Sequence, residues 1–216
     1  MYKLIIFDLD GTLLDTSRTI QSVLNNSLKK FSLPVISLEN TVRFVGNGAR
    51  KLVERAVGEE KRELWEAVYS DYSEHFSNCS NEHTSLYEGA EEALYKLNKN
   101  GIRLAIVTNK PKRATMRAYE EFLSKYGFCA VVGQSSDTPL KPNPQSVLKI
   151  ISDLGVKKEE CLFVGDGETD VTTAVNAGID CVSVLWGYRK KDELASAGAT
   201  RFVNTFPELV TVALSG

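Results

Sequence analysis

Short apolar runs that end in polar residues recur along the chain, each followed by a stretch with helical spacing. The runs are Leu4–Leu9, Arg103–Thr108, Cys129–Gly133, Cys161–Gly165 and Cys181–Leu185. Leu4–Leu9 is nearly continuous in Leu, Ile and Phe, as a strand covered on both faces requires. After the second run, Ala118, Tyr119, Phe122, Leu123 and Tyr126 predict a helix over Ala114–Tyr126. Val147, Leu148, Ile151 and Leu154 predict another, closed by Gly155. Val171, Ala174, Val175 and Gly178 predict a third, and a short strand at Arg201–Val203 precedes a helix opened by Pro207. Strand and helix alternating through short loops predict an α/β fold with a doubly wound, mainly parallel, Rossmann-like sheet.

One region breaks the alternation. Between Asp15 and about Ser85 no strand pattern is visible, and three helical stripes replace it. They run through Ile20, Val23, Leu24, Leu28 and Phe31; through Leu52, Val53, Ala56 and Val57; and through Leu64, Trp65, Val68, Tyr69, Tyr72 and Phe76. Residues 16–83 are therefore expected to form a helical domain inserted into a core built from 1–15 and 84–216. Trp65, Tyr69 and Tyr72 share a stripe and are expected in the core of that domain.

Composition bounds the class. A chain of 216 residues, 43% hydrophobic and 25% charged, has apolar material for a sizeable core without disulfides or a structural metal. A net charge of −2 gives no general affinity for nucleic acid, and the apolar runs are too short to cross a bilayer. No basic segment or small-residue cleavage site precedes the first strand, which predicts a cytoplasmic protein. Cys79, Cys129, Cys161 and Cys181 lack C-x-x-C spacing, and only two histidines are present, so zinc ligation is disfavoured. Buried free thiols are expected instead.

The chemistry begins at Phe7-Asp8-Leu9-Asp10-Gly11-Thr12-Leu13-Leu14-Asp15, where two carboxylates end an apolar strand. Asp is unfavourable within a strand, and an Asx turn is the alternative reading. Three further polar elements fall at comparable positions: Thr108-Asn109, Lys141-Pro142 and Gly165-Asp166-Gly167-Glu168-Thr169-Asp170. Singly each could be a helix cap, an exposed charge or a turn. Together they would be gathered at the carboxyl edge of the sheet, where open α/β folds bind ligands. Asp8, Asp10, Asp166 and Asp170 against Lys141 alone would leave a charge of −3 in one crevice. A cation would relieve that crowding, and an all-oxygen site without His or Cys points to Mg²⁺. With Lys141 and the Thr108 hydroxyl it would make a cradle for a phosphoryl group.

These segments, in this order, resemble the four motifs of the haloacid dehalogenase superfamily of phosphatases, with a helical cap inserted after the first. Phe44-Val45-Gly46-Asn47-Gly48-Ala49-Arg50 followed by Leu52-Val53-Glu54-Arg55-Ala56 is similar to the cap segment of phosphoglycolate phosphatases. The resemblance implies that Asp8 is a nucleophile forming an aspartyl-phosphate and that Asp10 is the general acid and base. It implies Mg²⁺ held by Asp8, the Asp10 carbonyl and Asp166, with Asp170 acting through water or from behind the ligands. Thr108 and the Asn109 amide would hold phosphate oxygens, and Lys141 would neutralise charge. Gly167 departs from the serine many relatives place there, which leaves Glu168 as an extra carboxylate near the metal.

Arg43, Asn47 and Arg50 are the cap candidates for substrate contact; the alternative is a glycine pair joining two helices beside solvated arginines. His75 and His83 are assigned no role. The implied activity is Mg²⁺-dependent hydrolysis of a small phosphorylated metabolite, best 2-phosphoglycolate, by a monomer or weak homodimer. Pyrophosphate, sugar phosphates, nucleotides, a phosphomutase reaction and a non-enzymatic phosphate-binding regulator are the alternatives.

Overall fold

In the computed structural model, which describes residues 1–215, the first apolar run forms β1 (Leu4–Phe7), buried at every position. Residue 216, the end of the expected core segment, lies outside the described residues. β1 pairs in parallel with β4 (Arg103–Pro111) on one side and β6 (Cys161–Gly165) on the other. With β5 (Ala130–Gln134), β7 (Asp180–Val184) and β8 (Phe202–Val203) it makes a six-stranded parallel sheet, ordered β5-β4-β1-β6-β7-β8.

Successive side chains of a strand point to opposite faces, so this sheet needs cover on both. Ile5 and Phe7 pack with Leu94 and Leu97 of α5 (Ala90–Lys99) and Leu209 of α10 (Phe206–Ser215). Leu4 and Ile6 pack on the other face with Val147 and Ile151 of α7 (Gln145–Leu154) and Ala174 of α8 (Glu168–Ala177). The expected doubly wound α/β fold is observed. The chain order reverses on either side of β1, which opens a crevice beyond its carboxyl end.

Between β1 and β4 lie α1 (Ser17–Lys30), α2 (Leu38–Phe44), α3 (Ala49–Val57) and α4 (Trp65–Asn78). The three expected stripes meet there: Ile20, Leu24, Leu52, Val53, Val68 and Tyr72 share one buried cluster. Ala114 of α6 (Lys112–Ala118) belongs to the same cluster and seats the helices on the sheet domain. Tyr72 is fully buried, while Tyr69 and Leu64 lie partly buried at its margin.

The structure differs from the sequence pattern in four places. Leu14–Asp15 (β2) and Ser85–Leu86 (β3) form an antiparallel ribbon where the helical insertion leaves and returns, and two residues carry no detectable alternation. α2 carried no apolar stripe because only Thr41 is buried in it; Ser37 caps it by accepting from the Asn40 amide. The helix expected over Ala114–Tyr126 is α6 followed by a π turn at Tyr119–Leu123 and a 3₁₀ turn at Ser124–Tyr126. The cysteines are free, yet only Cys161 is buried and Cys129 is exposed, so the expectation of buried thiols is corrected. Cys129 precedes β5, a half-covered edge strand, which explains its exposure. Among the described residues no helix is long and apolar enough to cross a membrane.

Candidate active site

The carboxyl ends of β1, β4 and β6 deliver the polar segments to one crevice. Asp8 continues the β1 ladder, its amide donating to the Val164 carbonyl at 2.9 Å. The turn after it needs a glycine: Gly11 has φ 83, and a Cβ there would strike the Asp166 carboxylate. β4 shifts register against β5 between Val107 and Pro111, which turns Thr108, Asn109 and Lys110 into the crevice wall. Lys141 enters from the loop before α7. Its place is fixed by Asn109, whose Oδ1 accepts from the Lys141 amide (2.7 Å) and whose Nδ2 donates to the Lys141 carbonyl (3.1 Å).

Asp8, Asp166 and Asp170 present carboxylate oxygens within 4.8 Å of one another. Lys141 Nζ lies 2.8 Å from Asp8 Oδ1 and donates to Asp170 Oδ1 at 2.6 Å. The first contact is an ion pair, and among the described residues no donor other than Lys141 meets Asp8 Oδ1. Burial, offset by Lys141 and reinforced by Asp170, lifts the Asp8 carboxyl to about 6. Burial, then Asp170 and Asp8, lift Asp166 to about 8 despite donation from the Tyr188 amide (2.7 Å) and Thr12 Oγ1 (2.9 Å). Burial opposes the charge on Lys141, but Asp170 and Asp8 outweigh it and hold the ammonium above its ordinary range.

Three buried carboxylates against one ammonium, with Asp166 pushed toward neutrality, leave the cluster short of positive charge, as a site for a hard divalent cation is. The all-oxygen donor set fits Mg²⁺. Asp170 has both oxygens engaged, Oδ1 by the Lys141 ammonium and Oδ2 by the Gly167 amide at 2.9 Å.

Asp10 occupies a different setting. Its Oδ1 accepts from Lys110 Nζ and from Thr16 Oγ1, both at 2.8 Å. Lys110 is buried, so the crevice charge of −3 counted from sequence becomes −2. Nothing in the sequence marked Lys110, which opens the basic segment Lys110-Pro111-Lys112-Arg113 and reads as a solvated charge.

A cavity of about 50 Å³ lies above Asp8 and Asp10. Thr108, Asn109 and Asp166 line it from the sheet, and Ile20, Leu52 and Phe76 line it from the inserted helices. Arg43, Asn47 and Arg50 do not line it. Arg50 is exposed, chelated by Glu66 and stacked on Tyr69. Asn47 accepts from Arg55, and Arg43 borders a neighbouring open cleft. The half-helix turn at Gly46 and Gly48 puts backbone, not arginine side chains, on the wall.

Glu168 is also away from the carboxylate cluster, because Arg189 binds both its oxygens (3.0 and 3.1 Å). The same guanidinium donates to the carbonyls of Val42 (2.9 Å), Arg43 (3.4 Å) and Val45 (2.6 Å), tying the end of α2 to the sheet domain. His75 contacts Asp71 on α4, and neither histidine lines the cavity.

The chain matches the family Haloacid dehalogenase-like hydrolase over residues 5–184. The chain belongs to that family. It is 32% identical over 222 residues to "Phosphoglycolate phosphatase 1" of Pseudomonas aeruginosa, covering 98% of this chain and 79% of the relative. A "Phosphoglycolate phosphatase" of Colwellia psychrerythraea is 30% identical, covering 96% and 95%. Among solved structures, a Lactobacillus delbrueckii subsp. bulgaricus protein provisionally called a phosphoglycolate phosphatase superposes with a TM-score of 0.92 at 28% identity, covering 100% and 99%.

The haloacid dehalogenase-like match contains every motif residue from Asp8 to Asp170. It ends before Tyr188 and Arg189, two residues that hold this hydrolase's Asp166 loop and inserted helices without any motif to announce them.

Proposed function

We propose that this hydrolase, a phosphatase of the haloacid dehalogenase type, removes the phosphoryl group from a small phosphorylated metabolite, with 2-phosphoglycolate as the best candidate. The observation that carries the reading is that Asp8, paired to Lys141, and Asp10, held separately by Lys110 and Thr16, stand together at the floor of one cavity. The names of the relatives and the small cavity support a short substrate.

Asp8 attacks phosphorus, and the bond from phosphorus to the leaving oxygen breaks. Asp10 gives that oxygen a proton, then takes one from the water that attacks the aspartyl-phosphate. Thr108 and the Asn109 amide hold the phosphoryl oxygens while Lys141 keeps Asp8 oriented. Asp8, the Asp10 carbonyl and Asp166 would hold Mg²⁺, with Asp170 behind them, and the ion would neutralise charge building on the phosphoryl oxygens. The inserted helices exclude water from the reacting atoms. We place the protein in the cytoplasm as a monomer or weak homodimer, a reading supported by its four free cysteines.

Phosphate release from a panel of metabolite phosphates, ranked by kcat/KM, tests the assignment. With Mg²⁺ the highest value is expected for 2-phosphoglycolate, and EDTA should reduce turnover by about a hundredfold or more, restored on adding Mg²⁺. Full activity in EDTA would remove the metal from the scheme, and a hexose phosphate or nucleotide at the head of the ranking would replace the substrate.

A further inference from the structure

We propose that Lys110 is the specificity-determining residue that receives a carboxylate on the substrate, an inference that rests on the phosphatase reading above. The side chain is 4% exposed and its ammonium lines the cavity. An ammonium carries three N–H donors. Among the described residues, Lys110 Nζ meets one acceptor, Asp10 Oδ1 at 2.8 Å, and lies 4.5 Å from the ring centroid of Phe76 on α4. Buried donors are nearly always satisfied, so the remaining N–H capacity of Lys110 faces the place where a ligand sits.

The other cations nearby are spent. Lys141 is held between Asp8 and Asp170, and Arg189 is taken up by Glu168 and the carbonyls ending α2. The inserted helices line the rest of the cavity mainly with the apolar side chains of Ile20, Leu52 and Phe76, beside Tyr72 and the backbone at Gly46 and Gly48, and they bring no charge to it. A polyol would strand most of its hydroxyls against those side chains, and a neutral alkyl tail would leave the ammonium with Asp10 as its one acceptor. A carboxylate is compact, acceptor-only and charged, so it satisfies Lys110 without asking anything of the apolar side chains, and it is smaller than a second phosphoryl group in a cavity of about 50 Å³. Its position also fits: Lys110 touches Asp10, the acid that serves the leaving oxygen, so an acceptor one carbon beyond that oxygen comes within reach of the ammonium.

Two non-hydrolysable phosphonates of matched length separate this from a purely structural role. 3-Phosphonopropionate carries the carboxylate and propylphosphonate replaces it with a methyl group. Calorimetry on the Mg²⁺-loaded protein should show the first binding at least about tenfold tighter. Lys110→Met should bring the two to equal affinity, whereas Lys110→Arg should keep part of the preference. Loss of Asp10's partner would lower kcat on every ester alike but would not alter the ratio between two phosphonates. Equal binding to the unmodified protein, or a preference surviving in Lys110→Met with a native melting curve, would overturn the proposal. If Lys110→Met does not fold, Lys110→Gln carries that arm and the unmodified protein still decides. Absence of phosphate release from every ester would count against the phosphatase reading, and the phosphonate ratio would still be measured.

Discussion

Asp8 and Asp10 stand two residues apart in settings that ask different things of them. Asp8 lies buried between Lys141 and Asp170, its Oδ1 ion-paired to the Lys141 ammonium. Asp10 is gripped through one oxygen by Lys110 and Thr16, and Thr16 is itself held by Tyr188. On the mechanism proposed above, in which Asp8 is the nucleophile and Asp10 the acid and base, the two should therefore fail differently. Asp8→Asn removes the nucleophile, so kcat should fall at least about 10⁴-fold and no phosphoenzyme should form. Asp10→Asn removes the acid and the later base, and kcat should fall about 10²- to 10⁴-fold. An aryl phosphate, whose leaving group needs little protonation, should still phosphorylate Asp8 in Asp10→Asn. The expected result is an acid-stable, hydroxylamine-sensitive label on Asp10→Asn and none on Asp8→Asn; a label persisting on Asp8→Asn would unseat the nucleophile.

At the scale of elements, the inserted helices are fastened to the sheet domain by several polar contacts, among them Arg117 donating to the Ser77 carbonyl at 3.2 Å, and two of them hold the α2–α3 segment. Asn109 donates to the Gly46 carbonyl at 2.9 Å, and Arg189 gathers the carbonyls at the end of α2. A guanidinium at a helix C-terminus meets both unpaired carbonyls and the negative end of the helix dipole. Arg189→Met should release that segment while leaving half-exposed Glu168 to rehydrate. Hydrogen exchange should quicken over residues 38–48 and stay unchanged in β1 and β6. The melting temperature should fall by about 2–8 °C, from about 1–2 kcal/mol of lost hydrogen bonding. Unchanged exchange over 38–48 would show that Arg189 does not hold the end of α2.

These fastenings also mark where sequence reading stops. β1, β4 and β6 were legible because burial on both faces forces continuous apolar runs, and the acidic motifs were legible because Asp at a strand end has no packing reason to be there. Lys110 and Arg189 were not, because a basic residue looks the same in sequence whether solvated or buried against a partner distant in the chain. Arg43 and Arg50 looked like candidates for the same reason, and the structure sends them outward.

For the whole molecule, the carboxylate cluster makes stability, metal and pH a single problem. In the metal-free fold Asp8 titrates at about 6 and Asp166 at about 8, against an ordinary value near 4 in the unfolded chain. Between those values the folded state binds more protons than the unfolded one. Metal-free stability from these groups is thus fully present below about pH 4 and is lost as pH rises through about 6 and then about 8. In the function proposed above Mg²⁺ would bind the deprotonated carboxylates and relieve the repulsion that develops in that window, so its stabilising effect should grow as protons leave. The Mg²⁺-induced rise in melting temperature should be larger at pH 8 than at pH 5.5, by on the order of 5 °C. Asp166→Asn removes the carboxylate with the greater shift, so it should raise metal-free stability at pH 8 and flatten most of the pH dependence of the Mg²⁺ effect. Thermal melts with and without Mg²⁺ across pH 5.5 to 8 measure both. A Mg²⁺ effect of equal size at the two ends would mean that the ion does not bind where Asp8 and Asp166 crowd together.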